Sequence, residues 1–90
     1  MEPDRREKTL TEVQLLESLV QAIDRREEVF RAIESTETDD EARDAVAALL
    51  DVGEIQARIV LDMQARRWTL GHRRTIAGHL KRLRSELDSL

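Results

Sequence analysis

Apolar residues recur at steps of three and four near both ends of the chain, and this spacing restricts both segments to amphipathic helices. In the first segment the repeating positions are Leu16, Leu19, Ile23, Phe30 and Ile33. In the last segment they are Ile76, Leu80, Leu83, Leu87 and Leu90. Because each set forms a heptad seam, we expect two helices, over about residues 9–35 and 72–89, to pack antiparallel as a coiled-coil stalk.

The start of the first long helix is predicted from a capping signal. Thr9 followed three residues later by Glu12 forms a capping box, with Thr9 as the N-cap. The residues before it are charged and lack a helical repeat, so we expect residues 1–8 to be a disordered N-terminal end. Arg26 is the one polar interruption of the apolar seam that follows.

Two short helices are predicted between the long ones. Thr38 and Glu41 form a second capping box, which begins a helix over residues 39–50. Another helix is predicted over residues 53–68, and we expect Asp51 to cap it because the glycine at its start offers no side chain. A hinge is expected at Gly71, where the apolar pattern is interrupted.

The predicted fold class is therefore all-α, with the antiparallel stalk capped by two short helices in a single domain over residues 9–90. Only Phe30 and Trp68 are aromatic, so the core must be aliphatic and thin, and oligomerisation is expected to add stability. The chain has no cysteine, no apolar leader and no apolar run of membrane-spanning length. We expect a cytoplasmic protein that does not contact membranes.

Charge is distributed unevenly along the chain. Residues 34–54 carry eight acidic side chains and one basic one, whereas residues 58–84 carry eight basic side chains and one acidic one. The overall net charge is −4, which does not indicate nucleic-acid binding by itself. We interpret the two halves as complementary solvated faces, within one copy or between copies, and a weak contact of the basic half with DNA stays an alternative.

The middle of the chain resembles a known family. Residues 53–69 read G-E-I-Q-A-R-I-V-L-D-M-Q-A-R-R-W-T. They are similar to the segment that closes the exit gate, or C-gate, in the A subunits of bacterial type IIA topoisomerases, DNA gyrase and topoisomerase IV. The pattern there is roughly S-E-x-Q-A-x-A-I-L-D-M-R-L-x-R-L-T-G-L-E. Residues 39–43 and 15–24 also resemble that family, so the similarity covers about residues 10–87.

The sequence departs from the family pattern after residue 67. It reads W-T-L-G-H over residues 68–72 where relatives read L-T-G-L-E, which changes the turn and its neighbouring surface. The resemblance implies a gate segment made as a small protein of its own. In relatives this segment holds two subunits together, whereas DNA is cleaved by a tyrosine in another domain. Because this chain contains no tyrosine, the resemblance implies that it is not an enzyme.

The residues give no catalytic, cofactor or metal site. His72 and His79 lie seven residues apart without a carboxylate or cysteine at ligand spacing, so surface or interface roles are expected for both. No phosphate-binding loop or nucleophile motif is present in the sequence. We therefore predict neither a cofactor nor a bound metal.

The function predicted is a non-catalytic dimerisation module, acting as a homodimer and able to associate with the A subunit of gyrase or topoisomerase IV. The candidate dimer interface is Leu49, Ile55, Ile59, Met63 and Trp68. The candidate stalk packing residues are Leu16, Leu19, Ile23, Phe30, Ile33, Ile76, Leu80, Leu83 and Leu87. Whether pairing uses the short helices or the stalks is left open.

Two alternatives belong to other classes of protein. One is a small all-helical dimeric enzyme of the chorismate mutase type, which resembles this chain in length and around residue 23 but needs several inward-facing cations to hold a dicarboxylate. The other is a DNA-associated helical protein. Its contacts would be Arg66, Arg67, Arg73, Arg74, Lys81, Arg82 and Arg84.

Overall fold

The computed structural model describes residues 4–90, and Met1–Pro3 of the predicted disordered end lie outside this part. The described chain is all-α, as predicted from the heptad pattern, and residues 4–90 contain helices and turns without a strand. The elements are α1 (Arg5–Asp24), α2 (Arg26–Glu34), α3 (Asp39–Leu50), α4 (Glu54–Leu61), a 3₁₀ turn (Ala65–Trp68) and α5 (Leu70–Ser89).

Helix α1 begins before the predicted position. Asp4 is its N-cap, and the Asp4 carboxylate accepts a hydrogen bond of 2.9 Å from the backbone N–H of Glu7. Thr9, the predicted cap, lies inside the helix and is buried. The predicted start is therefore wrong, and the described end of the chain from Arg5 onward is helical, because an aspartate further upstream caps the helix equally well.

The first long helix bends at Arg25, which separates α1 from α2. The backbone of Arg25 leaves helical geometry with φ −111° and ψ 32°, yet its N–H still donates to the carbonyl of Gln21 at 3.0 Å. The side chains of Gln21 and Arg25 donate to the carbonyls of Leu50 and Leu49 at 3.2 and 3.1 Å. The bend thus brings two side chains to the open C-terminal carbonyls of α3.

The bend changes the surroundings of Phe30. In a straight helix this residue would continue the seam toward α5, but its side chain is 42 % exposed. Its ring lies 4.9 Å from the ring of Trp68, measured between centroids. The assignment of Phe30 to stalk packing is therefore wrong, since α2 no longer follows the direction of α1.

Helix α3 begins as predicted and ends in a left-handed residue. The Thr38 hydroxyl accepts a hydrogen bond of 3.1 Å from the backbone N–H of Glu41, which confirms Thr38 as the N-cap. The Glu41 carboxylate accepts from the backbone N–H of Glu37 at 3.3 Å, one residue before the position that a capping box predicts. Asp51 has φ 54° and ψ 52° and forms the C-cap of α3. It does not cap α4, whose N-cap is Gly53 without a side-chain hydrogen bond. The predicted role of Asp51 is wrong because its left-handed backbone terminates the preceding helix.

Helix α4 is shorter than the sequence pattern predicted. It ends at Leu61, and residues 62–64 lead into the 3₁₀ turn. Thr69 then caps α5, and its hydroxyl accepts a hydrogen bond of 3.1 Å from the backbone N–H of His72. Gly71 therefore lies in the first turn of α5, and the hinge predicted there is wrong because Thr69 starts the helix before it.

Helices α1 and α5 pack antiparallel, and we call this pair the stalk. Ion pairs join the start of α1 to the end of α5 and the end of α1 to the start of α5. They are Arg5–Glu86 at 2.9 Å, Glu12–His79 at 3.6 Å, Glu17–Arg84 at 3.4 Å and Asp24–Arg73 at 2.9 Å. The antiparallel pairing agrees with the prediction, whereas a supercoiled knobs-into-holes geometry stays a prediction.

Two hydrophobic clusters hold the chain together. The smaller lies between the stalk helices and contains Val13, Leu80 and Leu83, with Leu16, Val20 and Leu87 packed against it. The larger joins the stalk to residues 26–68, which we call the tip. It contains Ala22, Ile23, Val29, Val46, Leu50, Ala57, Val60, Trp68 and Ile76, and its margin includes Leu16, Leu19 and Ile33. All predicted stalk packing residues except Phe30 thus contribute to one cluster or the other.

The Asp24–Arg73 pair predicts a small dependence of stability on pH. The hydrogen bond from Arg73 holds the pKa of Asp24 below its ordinary value of 3.8, against a smaller opposing effect of burial. A lowered folded pKa means that the contribution is present above pH 4 and is lost as the pH falls through the folded value. Asp24→Asn should therefore lower the unfolding free energy at pH 6, by up to about 1 kcal/mol, and by less at pH 2.5.

Urea unfolding at both pH values measures this difference. Glu27→Gln is the matched control, because Glu27 is exposed and forms no ion pair within residues 4–90. An Asp24→Asn deficit that stays the same at pH 2.5 would contradict the assignment of the effect to the ion pair.

Candidate functional site

Helix α4 presents apolar side chains on both of its faces. Ala57 and Val60 are fully buried in the larger cluster. On the opposite face, Ile55 is 72 % exposed and Ile59 is 37 % exposed. Two outward isoleucines one turn apart leave apolar surface in contact with water, which is unfavourable for a helix that serves only its own core.

A groove continues this outward face beyond the end of α4. Its apolar side chains are Leu19 from α1, Ile59 from α4 and Met63 from the following segment. Polar and charged groups complete the lining: Asp62, Gln64, Arg66, Arg67 and His72. The cavity has a volume of about 470 Å³ and opens to solvent. We call it the α4 groove. It combines an apolar floor with a mainly cationic rim.

Arg43 fixes the position of α4 against α3. Its guanidinium lies 3.3 Å from both Asp40 and Asp44 on its own helix and 3.4 Å from Glu54 at the start of α4. Burial would lower its pKa, but the hydrogen bond with Asp44 and the charge of Glu54 outweigh it and raise the pKa of Arg43. The arginine thus stays charged and holds the first turn of α4, from which Ile55 projects.

Three of the five predicted interface residues, Ile55, Ile59 and Met63, lie on this face or in the groove. Ile55 and Ile59 are exposed, Met63 is half-buried in the groove, and Leu49 is half-buried against the larger cluster. Trp68 differs, because it is only 7 % exposed and its indole N–H donates to the carbonyl of Met63 at 3.2 Å. The 3₁₀ turn folds Trp68 into the core of a single copy, so the structure corrects its assignment to the surface.

The sequence pattern missed two exposed apolar side chains. Phe30, at 42 % exposure, was assigned to the stalk seam because its heptad position fits a straight helix. Leu70, at 63 % exposure, follows the cap of α5 and carried no periodic signal. Leu10 and Leu90 are also exposed, but they lie near the other end of the stalk, away from the tip.

The basic side chains of the second half of the chain divide into two groups. Arg73 and Arg84 pair with carboxylates of α1. Arg66, Arg67, Arg74, Lys81 and Arg82 are exposed and form no ion pair within the described residues. Contact of this second group with DNA stays a prediction. The half-buried arginines Arg25, Arg43 and Arg73 each bind acceptor groups of their own chain.

The two histidines lie in different surroundings. His79 is 3.6 Å from Glu12 across the stalk, and His72 lines the α4 groove. Among residues 4–90, no three histidine, aspartate or glutamate side chains are grouped as a metal ion would require. In the same part of the chain, no helix is both long and apolar enough to cross a membrane.

Comparison with known proteins identifies the relationship. No protein-family model matches the chain. It is 41 % identical over 76 residues to the DNA gyrase A subunit of Mycobacterium tuberculosis strain H37Rv, covering 84 % of this chain and 9 % of that protein. It is 38 % identical over 76 residues to the DNA gyrase A subunit of Mycolicibacterium smegmatis, with the same shares. The DNA gyrase A subunit of Aminobacterium colombiense is 32 % identical over 84 residues, or 93 % of this chain and 10 % of that protein.

The described residues form an all-helical module, and the chain is similar to part of the A subunit of DNA gyrase. The resemblance to gyrase A subunits that the sequence pattern indicated is thereby confirmed, and the similarity is to a short segment of each relative. It spans about a tenth of the length of the curated relatives that it matches.

The burial of Trp68 predicts a role in the stability of one copy. Trp68→Phe removes the indole hydrogen bond and part of a buried ring, so the unfolding free energy should fall by about 1–2 kcal/mol. Phe30→Leu, on the exposed side of the same aromatic pair, should cost less than about 1 kcal/mol. Urea unfolding at one fixed protein concentration measures both. If Trp68→Phe leaves the unfolding free energy unchanged, Trp68 does not stabilise the single copy, and its predicted place in the dimer interface would be supported instead.

Proposed function

We propose that this chain is a non-catalytic dimerisation module that forms a homodimer through the outward face of α4. The single observation that carries the proposal is the exposure of Ile55 and Ile59 on one helical face beside an apolar groove. The proposed interface also includes Met63, which lines the groove, and Leu49, which is half-buried near the end of α3. Fully burying one isoleucine side chain contributes about 1.5–3 kcal/mol, so a second copy that covers both would stabilise the pair considerably.

The packing of the stalk favours the tip as the place of contact. Leu80 and Leu83 on the seam of α5 are already buried against α1, at 5 % and 8 % exposure. A four-helix bundle of two stalks would therefore have to form on outer, largely charged faces. The apolar surface that one copy leaves open lies instead on α4, on Phe30 and on Leu70. A stable dimer needs about 1,600 Å² of total buried area, which requires the neighbours of α4 to take part.

Association with a gyrase A subunit is the second part of the proposal. The relatives are named as A subunits of DNA gyrase, and their matching segments are 32–41 % identical to this chain. On this similarity we extend the proposal to a mixed pair in which one member is a gyrase A subunit. In that pair the small chain would occupy the surface that otherwise receives a second gyrase protomer.

Ile59→Asp tests the homodimer. A carboxylate at the centre of the α4 face would have to lose its hydration on pairing, so a dimeric wild-type protein should become monomeric at the same micromolar concentration. Mass by multi-angle light scattering measures the change. Leu10→Asp is the matched control, because Leu10 is exposed on α1 away from the tip, and it should leave the dimer intact.

The two variants separate the possible interfaces. A dimer that survives Ile59→Asp and dissociates with Leu10→Asp would locate pairing on the stalk and overturn the proposal. A wild-type protein that is monomeric at all concentrations would overturn homodimerisation itself.

Mixing with the purified gyrase A subunit of Mycobacterium tuberculosis tests the second part. Native mass spectrometry should detect a one-to-one complex of the small chain with this gyrase protein for wild type and Leu10→Asp, and none for Ile59→Asp. A stable homodimer that yields no mixed complex would show that the interface selects its own copy, and it would end the proposed gyrase association.

A further inference from the structure

We propose that the dimer is antiparallel at α4, with Ile55 of each copy inserted into the α4 groove of the other. This contact rests on the proposed homodimer and specifies its residues. We call the inserted Ile55 side chain the knob. It is the most exposed large apolar side chain among residues 4–90. The receiving floor is formed by Leu19, Ile59 and Met63.

Ile55 and Met63 lie on opposite sides of Ile59 along the chain. Ile55 precedes Ile59 by four residues, and Met63 follows it by four. Ile55 and Ile59 both lie in α4, where a helical rise of about 1.5 Å per residue separates them by roughly 6 Å. Met63 lies beyond the end of α4 at Leu61 and lines the groove together with Ile59. A two-fold axis that runs perpendicular to α4 and passes near Ile59 carries Ile55 of each copy toward the side of Ile59 on which Met63 of the other copy lies. It therefore places each Ile55 over the partner's groove in a self-complementary contact.

In a dimer whose two α4 helices run parallel, neither α4 groove would receive an Ile55 side chain. With the two-fold axis along α4, Ile55 would meet Ile55 of the second copy, and both grooves would stay open to water. Glu54 and Arg58 would each approach the same residue of the second copy, which brings like charges together. Filling an apolar groove with an apolar side chain is favourable because it removes both surfaces from water.

Charge on the rim supports the antiparallel arrangement. Arg66 and Arg67 line the groove, against one carboxylate from Asp62. Glu54 is the immediate neighbour of the knob and is 61 % exposed, although it pairs with Arg58 at 3.1 Å in its own copy. When Ile55 enters the partner's groove, Glu54 is carried toward the cationic rim. The contact therefore joins an acidic flank to a basic one.

Met63 makes the floor adaptable and its position testable. A methionine side chain is unbranched and flexible, so it can adjust around an inserted isoleucine. Its backbone carbonyl, and not its side chain, accepts the hydrogen bond from Trp68. Replacing the Met63 side chain therefore alters the groove while this structural hydrogen bond is retained.

The test is a complementation experiment with Ile55→Asp and Met63→Lys. Each variant alone should dimerise at least about tenfold more weakly than wild type, since each loses the burial of two isoleucine knobs. An equimolar mixture should recover a heterodimer with two different contacts. In one, an intact knob enters an intact groove, and in the other the introduced carboxylate faces the introduced ammonium group. Sedimentation velocity and native mass spectrometry measure the dissociation constants and the composition.

Each outcome decides one question. Recovery in the mixture supports the antiparallel contact, because residues 55 and 63 meet only in that arrangement. A wild-type dimer that Ile59→Asp dissociates but that shows no recovery overturns the inference and leaves the proposed function standing. Single variants that pair as tightly as wild type also overturn it. A monomeric wild type overturns the proposed function and this inference together.

Circular dichroism melting confirms that the variants are folded before they are mixed. Ile55 is exposed, so Ile55→Asp is not expected to disturb the fold. Met63 is half-buried, and Met63→Gln, which keeps the length of the side chain, replaces Met63→Lys if the latter unfolds. The amide still offers a hydrogen bond to the carboxylate that Ile55→Asp introduces, so the same recovery is expected and its absence has the same meaning.

Discussion

The burial of α1 against α5 is the contact from which the other features of the fold follow. Val13, Leu80 and Leu83 close the middle of the stalk, and Ile23 with Ile76 continue the contact into the larger cluster. Because the helices are antiparallel, this contact brings residue 24 next to residue 73, where a salt bridge joins them. The chain that leaves α1 after residue 24 must therefore come back to α5 at residue 73. The short helices of the tip make this return possible.

The tip meets this requirement partly through a bend at Arg25, where no glycine or proline marks a break. Arg25 leaves helical geometry and bonds the end of α3, while Arg43 bridges α3 to the start of α4. Trp68 folds back and fills the centre of the tip. The inward side chains of α4, Ala57 and Val60, are fully buried by the rest of the chain. The outward isoleucines are consequently left without a partner in one copy, and this is the physical origin of the proposed dimer surface.

The relationship to gyrase gives this arrangement a context. The similarity to the DNA gyrase A subunit covers 84–93 % of this chain but only about a tenth of the relatives' length. A segment of this size has a thin aliphatic core, with Trp68 as its one buried aromatic residue among those described. The proposed pairing would add buried apolar area to the small core of a chain of 90 residues. Stability and the proposed function thus depend on the same surface.

Local patterns in the sequence were sufficient for the all-α class, the two long helices that pair and the cap at Thr38, because helical periodicity and capping depend on neighbouring residues. They failed at Arg25, Asp51, Gly71 and Trp68. At each of these positions competing local signals were nearly equivalent, and tertiary contacts decided between them: Arg25 bonds a distant carbonyl, and Trp68 fills a space that forms only when the tip folds. The α4 groove, built from α1, α4 and α5, exists only in the tertiary structure, since its lining residues are far apart in the chain.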